Sequence, residues 1–214
     1  MARMFHELLP HLFTPSDEQL IWRVQTQDDA AAFGELTQRW AAPLRRLCER
    51  MTDDPHKAED LTQEAFVRVF VRRMQFEADG KFSTFLWRVA LNLCYDELRR
   101  RQRRAEFSLE EIGDDDSLSL GGDEPSPSAH LEEQELGETV RAALQRLPEH
   151  YRAVVVLRHY EGLKFREIAD VLDIPEGTVK SRMAEALDQL AHLLKEFTPL
   201  VPESRARPKP NACV

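Results

Sequence analysis

The sequence predicts an all-α chain: two small helical domains, an N-terminal helical bundle and a C-terminal helix-turn-helix domain, joined by a flexible acidic linker. Three observations carry this. Only 8 glycines stand among 214 residues, and 42% hydrophobic with 31% charged residues supplies a core without the turn-dense composition of a β-sandwich. Apolar residues recur at helical spacing in two separate stretches. Between them, residues 105–138 hold 12 acidic side chains and no Lys or Arg.

Residues 1–15 read as an N-terminal arm. Pro10 and His11 interrupt the apolar run of MARMFHELLPHLF, and no small-residue cleavage site follows, so a signal peptide is not expected here. No apolar stretch approaches the ~18–20 residues that cross a bilayer, which predicts no membrane insertion. Cys48, Cys94 and Cys213 form no CxxC pair, and a reducing, cytoplasmic location is expected.

The first unit, 16–104, reads as four helices. Ser16 with Gln19 forms a capping box ahead of Leu20, Ile21 and Val24. Phe33, Leu36, Trp40, Leu44 and Leu47 space a longer helix, which Pro43 is expected to kink or break. Asp54-Pro55 predicts an N-cap followed by proline at the first helical position. That third helix buries Ala58, Leu61, Ala65, Val69 and Phe70 and shows Glu59, Asp60, Gln63, Glu64 and Arg68 on its other side. Asp79-Gly80 is a turn signal between Phe76 and Phe82, beside Arg72, Arg73 and Lys81. Aromatics in such company can stack on unpaired bases, although rings at such positions are more often core.

Ser83 is placed to cap the fourth helix, whose stripe is Leu86, Val89, Ala90 and Leu93. Arg88, Asn92, Asp96, Arg99 and Arg103 share the opposite face, and five arginines fall among the six residues 99–104. Forked, permanently charged donors at that density repel one another unless phosphates or carboxylates sit nearby. Residues 39–104 carry 15 basic and 10 acidic side chains, a net of +5, so the chain's overall −9 comes from the central acidic block.

Residues 105–133, with EEIGDDDSLSLGGDEPSPS at their centre, bury too little apolar area to offset ordering entropy and read as the linker. The Pro-rich residues 198–214 read as a disordered tail.

The second unit, 134–197, begins with a helix carrying Leu136, Val140, Ala143, Leu144 and Leu147, ended by Pro148. The VVVL run at 154–157 has strand propensity but no second strand to pair with, so it is assigned to a buried helix. Ile168, Ala169 and Leu172, then a turn at Asp173-Ile174, then Val179, Met183 and Ala186 form a helix-turn-helix pattern. Its second helix presents Thr178, Lys180, Ser181 and Arg182 to a major groove, and the helix N-terminus at Gly177 suits a phosphate.

These stretches resemble the extracytoplasmic-function sigma factors, the dissociable promoter-recognition subunits of bacterial RNA polymerase. The residues that carry the resemblance are SDEQLIWRVQTQDDAAAFGELTQRW, DDPHKAEDLTQEAFVRVF, FSTFLWRVALNLCYDELRRRQRR and LPEHYRAVVVLRHYEGLKFREIADVLDIPEGTVKSR. It implies that Glu59, Asp60, Gln63 and Glu64 dock on the clamp helices of the polymerase largest subunit. It implies that Arg73, Phe76, Asp79, Lys81, Phe82 and Ser83, with Arg88, Asn92, Arg99, Arg100 and Arg103, lie at the −10 element and receive a flipped base. Gly177, Thr178, Lys180, Ser181 and Arg182 would read the −35 element. An anti-sigma factor is the further partner implied. No catalytic residue, metal or cofactor is expected: the seven histidines form no HxxxH or HExxH pair, and no Gly-rich phosphate loop occurs. The alternative is a helix-turn-helix regulator that never joins polymerase, but the first unit would then have no task.

Three positions depart from the family's pattern. Glu185 stands where further arginines often continue the recognition helix, and predicts weaker, less salt-sensitive −35 binding. Lys164 replaces the usual hydroxyl cap before Glu167 and halves that capping box. Asp173 takes a turn position where glycine is common.

Overall fold

A computed structural model describes residues 14–77, 80–111 and 130–197, and every regular element among them is helical. Helix α1 spans Asp17–Gln27 and starts with the expected box: the Ser16 hydroxyl accepts from the Gln19 N–H at 3.2 Å, and the Gln19 side chain accepts from the Ser16 N–H at 3.0 Å. Asp28, at φ 51°, turns the chain into α2, Ala30–Thr52. Asp29 caps α2 by accepting from the Ala32 N–H at 3.0 Å and also accepts from Nε and Nη2 of Arg23, and these donors hold its carboxyl below the usual range, the backbone donor foremost.

Helix α2 runs unbroken through Pro43, against expectation. Proline costs about 3 kcal/mol in a helix interior through its lost N–H and its ring. Leu36, Leu44, Leu47 and Met51 lie on both sides of it and are fully buried, at roughly 1.5–3 kcal/mol each, so packing outweighs the local defect.

Asp54 and Pro55 open α3, Pro55–Val71, as the dipeptide predicts. A 3₁₀ turn, Arg73–Gln75, leads from it. Helix α4 spans Phe82–Glu111, so Ser83 is inside the helix and does not cap it. The start is held from outside instead: the Phe82 N–H donates to the Glu18 carboxylate of α1 at 3.2 Å. Gln25 of α1 also donates to the carbonyls of Arg73 and Phe76 at 2.6 and 2.9 Å, pinning the turn ahead of α4.

Phe76 and Phe82 need correction as base-stacking rings. Phe82 is fully buried and Phe76 is buried, and their rings meet edge-on at 6.2 Å, with Trp40 at 6.4 Å from Phe82. The core of the first unit holds both rings, and Phe82 has no face free to stack.

Helix α5 spans His130–Arg146 and α4 reaches Glu111, so helix enters both ends of the stretch whose composition marks a linker. Residues 112–129, residues 1–13 of the arm and the tail lie outside the described residues. Helix α6, Glu149–Val155, passes into a π turn, Val156–Tyr160. Val154, Val155, Val156 and Leu157 are buried there, so the β-branched run is helical as expected. Helices α7, Phe165–Leu172, and α8, Glu176–Phe197, form the helix-turn-helix, with Asp173 at φ 56° in the left-handed turn.

The two units pack together. The Arg152 guanidinium, 7% exposed, donates to the carbonyls of Leu144 (3.1 Å), Gln145 and Leu147 (3.1 Å) at the end of α5 and of Met51 at the end of α2. Gln145 donates to the Arg50 carbonyl at 2.8 Å, Arg141 pairs with Asp53, and Arg50 lies 3.6 Å from Glu161.

Candidate polymerase and promoter interfaces

Glu59, Asp60, Gln63 and Glu64 are all exposed on α3, opposite buried Ala58, Leu61, Ala65 and Val69. The acids are weakly engaged: Asp60 takes Lys57 at 3.1 Å and Glu64 takes Arg68 at 2.8 Å, both within the helix. Glu59 and Gln63 border a groove of about 400 Å³ floored by Thr37, Ala41 and Phe66. Val67 and Val71 continue the face toward Met74, and all three are more than half exposed. A surface with an acidic edge and an unburied apolar continuation fits a protein partner better than DNA.

The basic surface is on α4 and the turn before it. Arg88, Asn92, Arg99 and Arg103 are exposed on the side their spacing predicts, Asp96 of the same set is only partly exposed, and Arg100 is exposed as well. Arg101, from the same arginine run, points elsewhere. It donates to the Thr52 carbonyl at 3.0 Å and to Asp54 at 2.7 Å, and lies 3.6 Å from buried Glu97. Asp54 thus caps α3 and binds α4, and its carboxyl is held below the ordinary range, first by the Lys57 N–H. Arg73 is committed internally: it donates to Asp28 and to the Phe70 carbonyl, both at 3.0 Å, with its guanidinium 4.3 Å from the centre of the Phe70 ring. Asp79 lies outside the described residues, and the Gly80 N–H donates to the Glu77 carbonyl at 3.0 Å.

A cleft of about 820 Å³ opens beside this turn, lined by Phe76, Lys81, Thr84 and Arg88 on one side and by Arg166 and Glu167 of α7 on the other. Across it, Lys81 pairs with Glu167 at 2.7 Å. Arg88 donates to the carbonyls of Asp170 and Val171 at the end of α7.

At the start of α8, Gly177, Lys180 and Ser181 are exposed and Thr178 and Arg182 partly so. Lys180 pairs with Glu176 at 2.7 Å, and the Ser181 hydroxyl donates to the Thr178 carbonyl at 3.0 Å. The Lys164 N–H donates to Glu167 at 2.9 Å, the half of the capping box the sequence retains.

Models of sigma-70 region 2 and sigma-70 region 4 match residues 36–104 and 137–190, in that order. The ECF RNA polymerase sigma factor SigW of Bacillus subtilis is 33% identical over 174 residues, covering 79% of this chain and 92% of that protein. The chain belongs to the ECF RNA polymerase sigma factors. Within this family it is also similar to SigE of Mycolicibacterium smegmatis, 38% identical over 188 residues that cover 86% of this chain and 71% of the relative. The fold matches the sigma factor RpoE of Bartonella quintana, solved with the anti-sigma factor NepR, at a TM-score of 0.58 and 22% identity over 76% of this chain and 96% of that one.

In this sigma factor, region 2 comprises most of α2, α3 and most of α4, and region 4 comprises most of α5 through most of α8. Residues that support these surfaces escape a sequence reading because their partners are remote: Glu18 for α4, Gln25 for the turn, Arg152 for two helix ends. Only the Arg101 pairing leaves a trace, since Glu97 is one helical turn before it.

Glu185 is exposed on α8 and accepts from Gln189 at 3.3 Å. Replacing it with arginine should raise affinity for an upstream-element duplex and steepen the slope of log affinity against log salt by about 1. Fluorescence anisotropy across a salt series measures both, and an unchanged slope would exclude phosphate proximity at this position.

Proposed function

We propose that this chain directs core RNA polymerase to promoters by docking α3 on the clamp helices of the largest subunit and reading two DNA elements. Glu59, Asp60, Gln63 and Glu64 face the polymerase. Lys81, Ser83, Arg88, Asn92, Arg99, Arg100 and Arg103, with Asp79 in the turn, face the −10 element. Gly177, Thr178, Lys180, Ser181 and Arg182 face the −35 element. The protein contributes binding and strand capture, and the polymerase does the chemistry. Its site of action is the cytoplasm, and an anti-sigma factor is its expected regulator, as RpoE of Bartonella quintana is held by NepR.

The observation that carries this reading is the pairing of two unlike surfaces on one small bundle. The exposed acidic and apolar face of α3 suits a protein, and the exposed basic side of α4 suits a polyanion. Strand opening costs a few kcal/mol per extruded base, which contacts along α4 and its preceding turn would offset.

The test is run-off transcription with purified core polymerase, with start sites mapped. The chain should direct initiation, and a Gln63→Arg/Glu64→Arg double variant should lose about tenfold or more of its polymerase affinity while keeping its helical content. Binding to duplex DNA with no association with polymerase would restore the regulator reading.

A further inference from the structure

A cavity rich in arginine lies between the last turns of α2 and the side of α5, and neither the polymerase face nor the promoter faces account for it. It holds about 360 Å³ and is lined by Arg45, Arg46 and Arg50 of α2, Arg141 of α5 and Tyr160. Arg46 and Arg50 stand one helical turn apart and share a face. Gln145 fastens α5 beside them through the Arg50 carbonyl at 2.8 Å. Of the described residues, Glu49 alone brings a carboxylate to the lining, and it serves Arg45 at 3.2 Å. Asp53 takes Arg141, and buried Glu161 lies 3.6 Å from Arg50. Glu161 is a poor counter-ion: burial pushes its carboxyl up, and the fields of Arg50 and Arg46 pull it only part of the way back. Arg46 is exposed and makes no ion pair among the described residues. Four guanidinium groups around one small cavity repel one another unless a further anion joins them.

Tyr160 reaches the cavity from a π turn, Val156–Tyr160, closed by the Glu161 N–H on the Val156 carbonyl at 3.2 Å and followed by Gly162 at φ 71°. Single π turns are rare and frequent at functional sites, where the extra residue re-aims the side chains that follow. The ring takes the Arg50 guanidinium on one face, 4.1 Å from its centre, yet Tyr160 remains 44% exposed. Its other face is left for a second planar group. We infer that this cavity is a nucleoside polyphosphate site: the arginines hold two or more adjacent phosphates, and the base lies on the open face of Tyr160. Forked guanidinium donors pair with phosphate oxygens two at a time, and a run of phosphates touches several arginines at once. The volume falls in the range of small-molecule clefts and is too small for a duplex. Binding here needs neither polymerase nor promoter, so it stands apart from the function proposed above.

The experiment is equilibrium dialysis of the free full-length chain against adenosine triphosphate, adenosine monophosphate and inorganic tripolyphosphate, all at one ionic strength near about 0.15 M. The triphosphate should bind about tenfold or more tighter than the monophosphate and about fivefold tighter than tripolyphosphate, the difference a stacked base supplies. Arg46→Gln should weaken the triphosphate and tripolyphosphate alike by about tenfold with helical content unchanged. Tyr160→Leu should weaken the nucleotide about fivefold and leave tripolyphosphate within about twofold, while Tyr160→Phe keeps the ring and the affinity. Arg72→Gln removes the same charge at the other end of the α2–α3 pair, where neighbouring Arg73 meets Asp28, and should change nothing.

No binding of the triphosphate at millimolar concentration overturns the site. So does an affinity that Arg46→Gln leaves alone, or that Arg72→Gln lowers equally, since either outcome means diffuse attraction to a charged surface. Loss of binding in Arg100→Gln but not in Arg46→Gln would put the nucleotide on the basic side of α4 and overturn the cavity as its place. Tripolyphosphate binding as tightly as the nucleotide overturns the base contact and makes inorganic oligophosphate the ligand.

Discussion

Replacing Arg152 with alanine should destabilise the protein by about 3 kcal/mol or more and lower its melting temperature by roughly 10 °C or more. The side chain is buried, and its donors satisfy four main-chain carbonyls, three at the end of α5 and one at the end of α2. These are the orphan acceptors that every helix C-terminus leaves. Burial lowers the Arg152 pKa, yet guanidinium remains charged at any physiological pH. Truncation would leave desolvated acceptors unpaired, which costs more than a lost exposed hydrogen bond. Arg152→Met keeps the volume of the stem and should be nearly as damaging, while Arg152→Lys should recover less than half, because one ammonium cannot fork across four acceptors. Thermal melting followed by far-UV circular dichroism decides the matter; a loss below about 1 kcal/mol would mean that water reaches those carbonyls.

The second large effect is expected at Phe82. Phe82→Ala should cost about 3–5 kcal/mol, the range for removing a buried aromatic ring. Phe82→Leu should cost below about 1.5 kcal/mol and leave binding to a −10 oligonucleotide within about twofold of the parent. A residue that stacked on a base would behave otherwise: leucine would lose about 1–3 kcal/mol of binding with little change in stability. Chemical denaturation and oligonucleotide titration on the same two variants separate these cases. Lys81→Ala, one residue away and exposed, should change stability by no more than about 0.5 kcal/mol.

Much of the fold was legible because it is written at short range. The Ser16 box, the Asp54-Pro55 start, the left-handed Asp173 and the helical VVVL run depend on residues within a few positions of one another. Pro43 and Ser83 misled for the same reason. Local rules place a break at the first and a cap at the second, whereas the buried leucines around Pro43 and the distant Glu18 carboxylate determine what forms. The exposed sides of α3 and α4 followed from their 3.6-residue period, so the acidic face and the basic face could be told apart before any coordinates.

What the sequence settled on its own was the helical content, the caps, the sign of charge on each helix face and membership of the family. Tertiary structure alone decided which members of a local cluster are surface and which are core: Phe76 and Phe82 inward, Arg101 tied to Asp54, Arg152 spanning two helix ends. It also decided that α7 lies across Lys81 and Arg88. The division has one cause. Periodicity and capping depend on neighbours a few residues apart, but the partner that desolvates or pairs a side chain is brought there by chain closure over as many as 101 residues, and no local pattern encodes it.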